Sequence, residues 1–293
     1  KLVAGVTLLN AVNTKINTNP DLNNSVTLEL NTGTLNTDSG WFMNSVINDG
    51  IFNVISETNK AEEAFDAVLA NDGTFINRNQ LTFNVLSHES TRQLYAGHGK
   101  LHNEGTFEAT VTNAGRGDVV GFIRDWDDKP AQYTLSVRNE KTMNLTLKAS
   151  NGSADLFAML GKERFVNGAS GVVRANVSAG TSANGWMLSD TTSFENGNEL
   201  NLTLTGLKST SKLIGLSSLN AGAVATNGGS LNLKLTGKGA EAYGLKSSIA
   251  EALFTNNGTL SIESTGTFGK VSAIDWAGKI ANTGTIKTEL GVK

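Results

Sequence analysis

The sequence predicts an all-β protein, a single right-handed parallel β-helix of about ten rungs. Three observations lead there. An asparagine-centred pattern recurs through the chain, and a strand-like alternation of apolar and polar residues follows each copy. Polarity comes mostly from Asn, Thr, Ser and Gly, because Asp, Glu, Lys and Arg make up only 17% of the 293 residues. About a quarter is usual for a soluble domain, and a chain polar in this way favours strands and turns over helices.

The repeat reads apolar–x–Asn, a short turn, then apolar residues at alternate positions. Its anchors are Asn24, Asn48, Asn77, Asn103, Asn139, Asn167, Asn196, Asn227, Asn256 and Asn282, separated by 24 to 36 residues. Two residues before them stand Leu22, Val46, Phe75, Leu101, Val137, Phe165, Phe194, Ala225, Phe254 and Ile280, all apolar. Four residues after them stand Leu28, Phe52, Leu81, Phe107, Met143, Gly171, Leu200, Leu231, Leu260 and Ile286, with Gly171 the one exception. Alternation with a period of two marks a strand with one buried face. Midway through most copies a small residue precedes a bulky one: Gly40-Trp41, Ala67-Val68, Gly121-Phe122, Ala158-Met159, Gly185-Trp186, Gly215-Leu216, Gly244-Leu245 and Ala273-Ile274. These pairs predict a second strand on another face of the same coil.

One such repeat cannot bury its apolar face alone. Stacked in parallel, the copies share one core and pair every backbone group with the rungs above and below. The asparagine has the parity of the buried residues, so successive anchors are expected to hydrogen-bond as a ladder. The glycines two residues later (Gly50, Gly105, Gly229, Gly258, Gly284) suit a bend that requires positive φ or close backbone approach. A β-propeller needs a longer period, and a leucine-rich repeat needs a helical return and its own leucine spacing. The expectation is one domain over residues 1–293 with no internal linker.

Composition removes whole classes of function. With no cysteine there is no disulfide, Cys-ligated zinc or thiol catalysis. A net charge of −3 gives no electrostatic basis for nucleic acid as a partner. No apolar run reaches the length of a membrane-spanning helix. The opening KLVAGVTLL reads as a strand, since it is short for a signal h-region and lacks a small-residue cleavage site. Any signal or anchor is expected to lie outside this chain.

Catalytic motifs are weak. Asp38-Ser39-Gly40 partly echoes a serine-protease setting, but all three histidines (His88, His98, His102) follow it, and no G-x-S-x-G elbow occurs. His98 and His102 form a conceivable metal pair without a third ligand. The longest spacing, between Asn103 and Asn139, predicts a loop projecting from the rod. That loop holds Arg124, Asp125, Trp126, Asp127, Asp128, Lys129 and Pro130. Insertions in repeat proteins map to loops on one face, often the binding face. Trp126 suits stacking on a sugar ring, and the three Asp suit oxygen ligation of Ca²⁺; a solvated excursion with Trp126 folded back is the plain alternative. The same rung carries Arg116, Gly117 and Asp118, the integrin-recognition tripeptide, in a glycine-rich turn.

The rungs FTNNGTLSIESTG (254–266), LHNEGTFEATVTNAG (101–115) and IANTGTIKTELG (280–291) resemble those of bacterial autotransporter passenger domains. The resemblance covers nearly the whole chain, and its motifs are architectural. It implies a bacterial cell-surface or secreted protein whose translocator lies elsewhere. The functional expectation is a non-catalytic adhesin or self-associating passenger that binds a host glycan, a matrix protein or itself. No cofactor, nucleic acid or membrane insertion is implied. The alternatives are a glycan-cleaving β-helix enzyme, which requires carboxylates from successive rungs along a groove, and a passive stalk.

Overall fold

A computed structural model describes residues 16–17, 28–30, 34–37, 40–42, 46–58, 69–71, 73–88, 92–97, 99–123, 135–159 and 161–291. All regular structure in them is strand, and every strand pairing is parallel. The class is the one predicted, a parallel β-solenoid. Each turn contributes three strands, illustrated by Arg164–Asn167, Val172–Ala179 and Ser182–Leu188. They lie on a short face ending at the asparagine, a long face of mostly eight-residue strands, and a third face. The short face is a ten-stranded sheet. The other two faces merge where Ser230–Ser247 runs round a corner without a break.

The predicted ten rungs reduce to seven complete turns among the described residues, from Thr74–Asn77 to Thr267–Trp276, that carry at least four strand residues on every face. Earlier turns have strands of two or three residues on some faces, and the last described turn ends after Thr285–Leu290. The opening KLVAGVTLL, Asn24 and the pair Ala67-Val68 lie outside the described residues. The register nevertheless corrects the first rung, because Leu30, not an asparagine, pairs with Asn48. Leu28, expected on the strand after the anchor, belongs to the short face.

From Asn48 to Asn282 the anchors stand directly over one another. Each amide from Asn48 to Asn256 donates one N–H to the Oδ1 of the next anchor at 2.7–2.9 Å. Its other N–H goes to the carbonyl of the residue opening the next turn's long strand, at 2.8–3.3 Å. Asn48 to Asn256 are fully buried, and a buried amide is tolerated only when its donors are used in this way. The ladder starts at Asn48, whose Oδ1 has no partner because Leu30 stands in the preceding position.

The exception at Gly171 also resolves. The long strand of that turn begins at Val172, and Val173 pairs with Met143 and Leu200 in the buried column. Two extra residues sit in the turn, closed by the Gly171 N–H bonding to the Gly168 carbonyl at 3.0 Å. A Cβ on Gly171 would lie 2.1 Å from Asn167 Oδ1. Turns of different length are therefore absorbed between strands, and the strands keep register.

Inside the coil, Phe122, Phe157 and Trp186 stack at centroid distances of 4.4 and 5.5 Å, and Phe165 lies over Phe194 at 5.7 Å. On the third face, Phe122, Phe157, Trp186, Leu216, Leu245 and Ile274 share one column. The predicted pair Ala158-Met159 is thus displaced: Leu156-Phe157 holds the position, and Leu156 replaces the small residue. Gly40 pairs with Leu69, which shifts Gly40-Trp41 by one residue relative to the column.

The small residue exists for close approach. A Cβ on Gly185 would fall 2.1 Å from the Gly215 carbonyl oxygen and 2.5 Å from Leu202 Cδ2. The strand bends there, so that two adjacent residues, such as Leu156 and Phe157, both face inward. The turn glycines act in the same way: the φ angle is positive only at Asp190, Gly222 and Gly237 among the described residues, while a Cβ on Gly258 would meet the Gly229 carbonyl at 2.0 Å. We expect Gly185→Ala to destabilise the protein by about 2–4 kcal/mol in chemical denaturation, through overpacking against fixed backbone. Gly228→Ala, whose nearest neighbour is the Asn196 carbonyl at 3.6 Å, should change stability by less than about 1 kcal/mol.

Candidate functional site

Two surfaces carry chemistry that the fold does not use up. The first is the outer side of the long face. Period-two burial turns Thr106, Glu108, Thr110 and Thr112 outward while Phe107, Ala109, Val111 and Asn113 face in. Parallel register then stacks outward residues into columns. One runs Asn84, Thr110, Thr146, Asn176, Thr203, Lys234; its neighbour runs Thr82, Glu108, Asn144, Arg174, Asn201, Asn232. Most of these groups are neutral hydroxyls and amides. Some bond across rungs, as Asn232 Nδ2 does to Asn201 Oδ1 at 2.8 Å and Thr205 to Thr236 at 2.8 Å. Some of the charges that do occur are paired, Arg174 with Glu199 at 3.6 Å and Lys234 with Glu263 at 3.1 Å. Such exposed pairs contribute little stability.

The second surface is the outer side of the third face. Val120, Asp155, Asn184 and Ile214 form one outward column, and Ile123, Ala158, Met187 and Ser217 form the next. Val120, Ile123 and Ala158 are buried and pack with Met187 in an apolar cluster separate from the main core. Asp155 sits beside that cluster. Its Oδ1 accepts the Asn184 Nδ2–H at 2.7 Å, while Asn184 Oδ1 is buried without a partner. Burial pushes the Asp155 carboxyl up to about 6, opposed by the Asn184 hydrogen bond and assisted by the negative charge of Asp118.

Arg116 and Asp118 are exposed and Gly117 half-buried. The Asp118 carboxylate is engaged by the next turn, because its Oδ1 accepts the Ser153 N–H at 2.6 Å and lies close above Gly152. Asp118 therefore works as a turn-to-turn clamp within the tripeptide. Arg124, Asp125, Trp126, Asp127, Asp128, Lys129 and Pro130 lie outside the described residues, as do His98 and Ser39. His102 is on the outer side of the short face, with Nδ1 3.5 Å from Glu104 Oε1. No group of three or more His, Asp and Glu with metal-binding geometry occurs among the described residues.

Asp155 and Asn184 escaped sequence reading because their contact crosses 29 residues. The available signal was a carboxylate in the otherwise apolar strand Ala154–Met159. No family model, curated protein or solved structure matches the chain.

The shift of Asp155 makes stability depend on pH. A carboxyl whose folded pKa lies above its unfolded value binds its proton more tightly in the folded state, so stability falls as pH rises from about 4 to about 6. Two pKa units correspond to roughly 3 kcal/mol. Asp155→Asn should therefore raise stability at pH 7.5 by up to about that amount. It should leave stability at pH 3.5 nearly unchanged and flatten the melting temperature across the interval.

Proposed function

We propose that this chain is a non-catalytic adhesive rod, a passenger displayed on or released from a bacterial surface that binds a host glycan, a matrix protein or another copy of itself. The observation that carries the reading is the outer side of the long face. Several columns of hydroxyl and carboxamide groups repeat there at the strand spacing, each group two residues from the next along a strand. Adjacent rungs lie about 4.8 Å apart. Such a lattice offers both donors and acceptors with little charge, suited to polyhydroxylated or amide-rich partners. Contacts that are individually weak add through multivalency. The autotransporter resemblance of rungs such as 254–266 supports a bacterial surface location.

One observation favours the enzymatic alternative. Asp118 and Asp155 are carboxylates on successive turns, and Asp155 holds its proton up to about pH 6, as a general acid requires. Both, however, already accept hydrogen bonds from Ser153 N–H and Asn184. Incubation with acidic and neutral oligosaccharides, followed by chromatography, separates the readings; release of shorter products abolished by Asp155→Asn would establish the enzyme.

Adhesion itself is tested on the long face. Thr110→Ala alone is expected to change retention on a glycan or matrix-protein array, or the self-association constant, by less than threefold. The combined substitution Thr110→Ala, Thr146→Ala, Asn176→Ala and Thr203→Ala strips the polar groups from one column and should abolish binding, with circular dichroism checking that the fold is retained. Loss of all binding from the single change would contradict a distributed surface.

A further inference from the structure

We propose that the outer side of the third face binds an organic cation, an alkylammonium or alkylguanidinium of the kind carried by Lys and Arg side chains, between Asp155 and Asn184. This site lies on a different face from the long-face lattice and stands independently of it.

Between these two residues hydrogen bonding and charge are both unmet among the described residues. Asn184 is 7% exposed, and its Oδ1 is buried with no partner. Such atoms are rare in native structures and point to a missing donor. Beside it, Asp155 has a single hydrogen bond among the described residues, from Asn184 Nδ2 at 2.7 Å. Asp155 has no ion-pair partner there. Asp118, on the preceding turn, adds negative charge. Lys212, beyond Asn184 on the following turn, has its ammonium directed to Glu241 at 3.9 Å.

The unsatisfied atoms select among ligands. They are acceptors, a carbonyl oxygen and a carboxylate, so the ligand must donate. A sugar hydroxyl would donate but leave the carboxylate uncompensated, the costlier of the two deficits. A hard metal ion offsets the charge but takes six to eight oxygen ligands, and no group of three or more metal-binding side chains occurs among the described residues. An ammonium or guanidinium on an aliphatic stem meets these demands: it donates to Asn184 Oδ1 and to Asp155, neutralises the charge, and sets its methylenes beside Met187, the partly exposed member of the apolar cluster.

The test is a calorimetric titration of the chain with n-butylammonium and n-butylguanidinium, with n-butanol as the neutral control. Saturable binding of either cation at pH 7.5 is expected, at least tenfold weaker at pH 4.5 and in Asp155→Asn, with no saturable binding of n-butanol. A second readout works in the native chain: carboxyl ¹³C NMR should show the Asp155 pKa falling by one unit or more when the cation saturates. Absence of binding at pH 7.5, equal binding by Asp155→Asn, equal binding of n-butanol, or an Asp155 titration unmoved by the cation would each overturn the proposal.

Discussion

Two N–H groups on each anchor asparagine from Asn48 to Asn256 hold this coil in register. One reaches the next asparagine and the other reaches the first carbonyl of the next long strand. The buried amide thus ties together the end of one strand, the turn, and the start of the strand one rung on. An aliphatic residue there would leave that carbonyl and the neighbouring amide unpaired in the core, at a cost of about 1–3 kcal/mol for each. Because every link runs in the same direction, the amide dipoles align along the rod and strengthen one another. Sliding the chain by one residue would break the ladder and turn the apolar set outward at once.

This constraint explains what the rest of the molecule is free to vary. Anchor spacing ranges from 26 to 36 residues along the ladder, yet the strands on either side remain paired residue for residue. Extra length goes into the corners, as at Gly168–Gly171. The third face carries the second constraint. It must bend to close the coil around the leucines of the long face, and it does so where Gly185, Gly215 and Gly244 let backbone meet backbone. The outer surfaces carry no such obligation. That freedom is why the long face can present a lattice of Thr and Asn, and why the third face can hold a carboxyl in an apolar setting.

Legibility in the sequence follows the same division. The ladder from Asn48 onward could be read because only asparagine meets its hydrogen-bonding demand, so the residue itself marks the position. Leu30 could not be read, because a rung without the amide leaves no marker, and Asn24 stood close enough to draw the pattern away. Small-before-bulky pairs located the third face wherever glycine or alanine was required. They failed at Leu156-Phe157, where a bulky residue fills the inner corner and the nearby Ala158-Met159 mimics the motif. Asp118 was noticed for a tripeptide, but its bond to the Ser153 N–H depends on which turn stacks above it. The Asp155–Asn184 pair depends on register in the same way.

The anchor carboxamides form one continuous buried chain of hydrogen bonds that holds the rungs in register. Hydrogen exchange of asparagine side-chain NH₂ groups, followed by ¹⁵N-resolved NMR, reads it directly. The account predicts that Asn77, Asn103, Asn139, Asn167, Asn196 and Asn227 exchange orders of magnitude more slowly than the outward Asn201 and Asn144, as a block protected by the stability of the coil. Exchange of the anchor amides at the rate of the outward ones would mean that the ladder does not hold the rungs, and the account would fail.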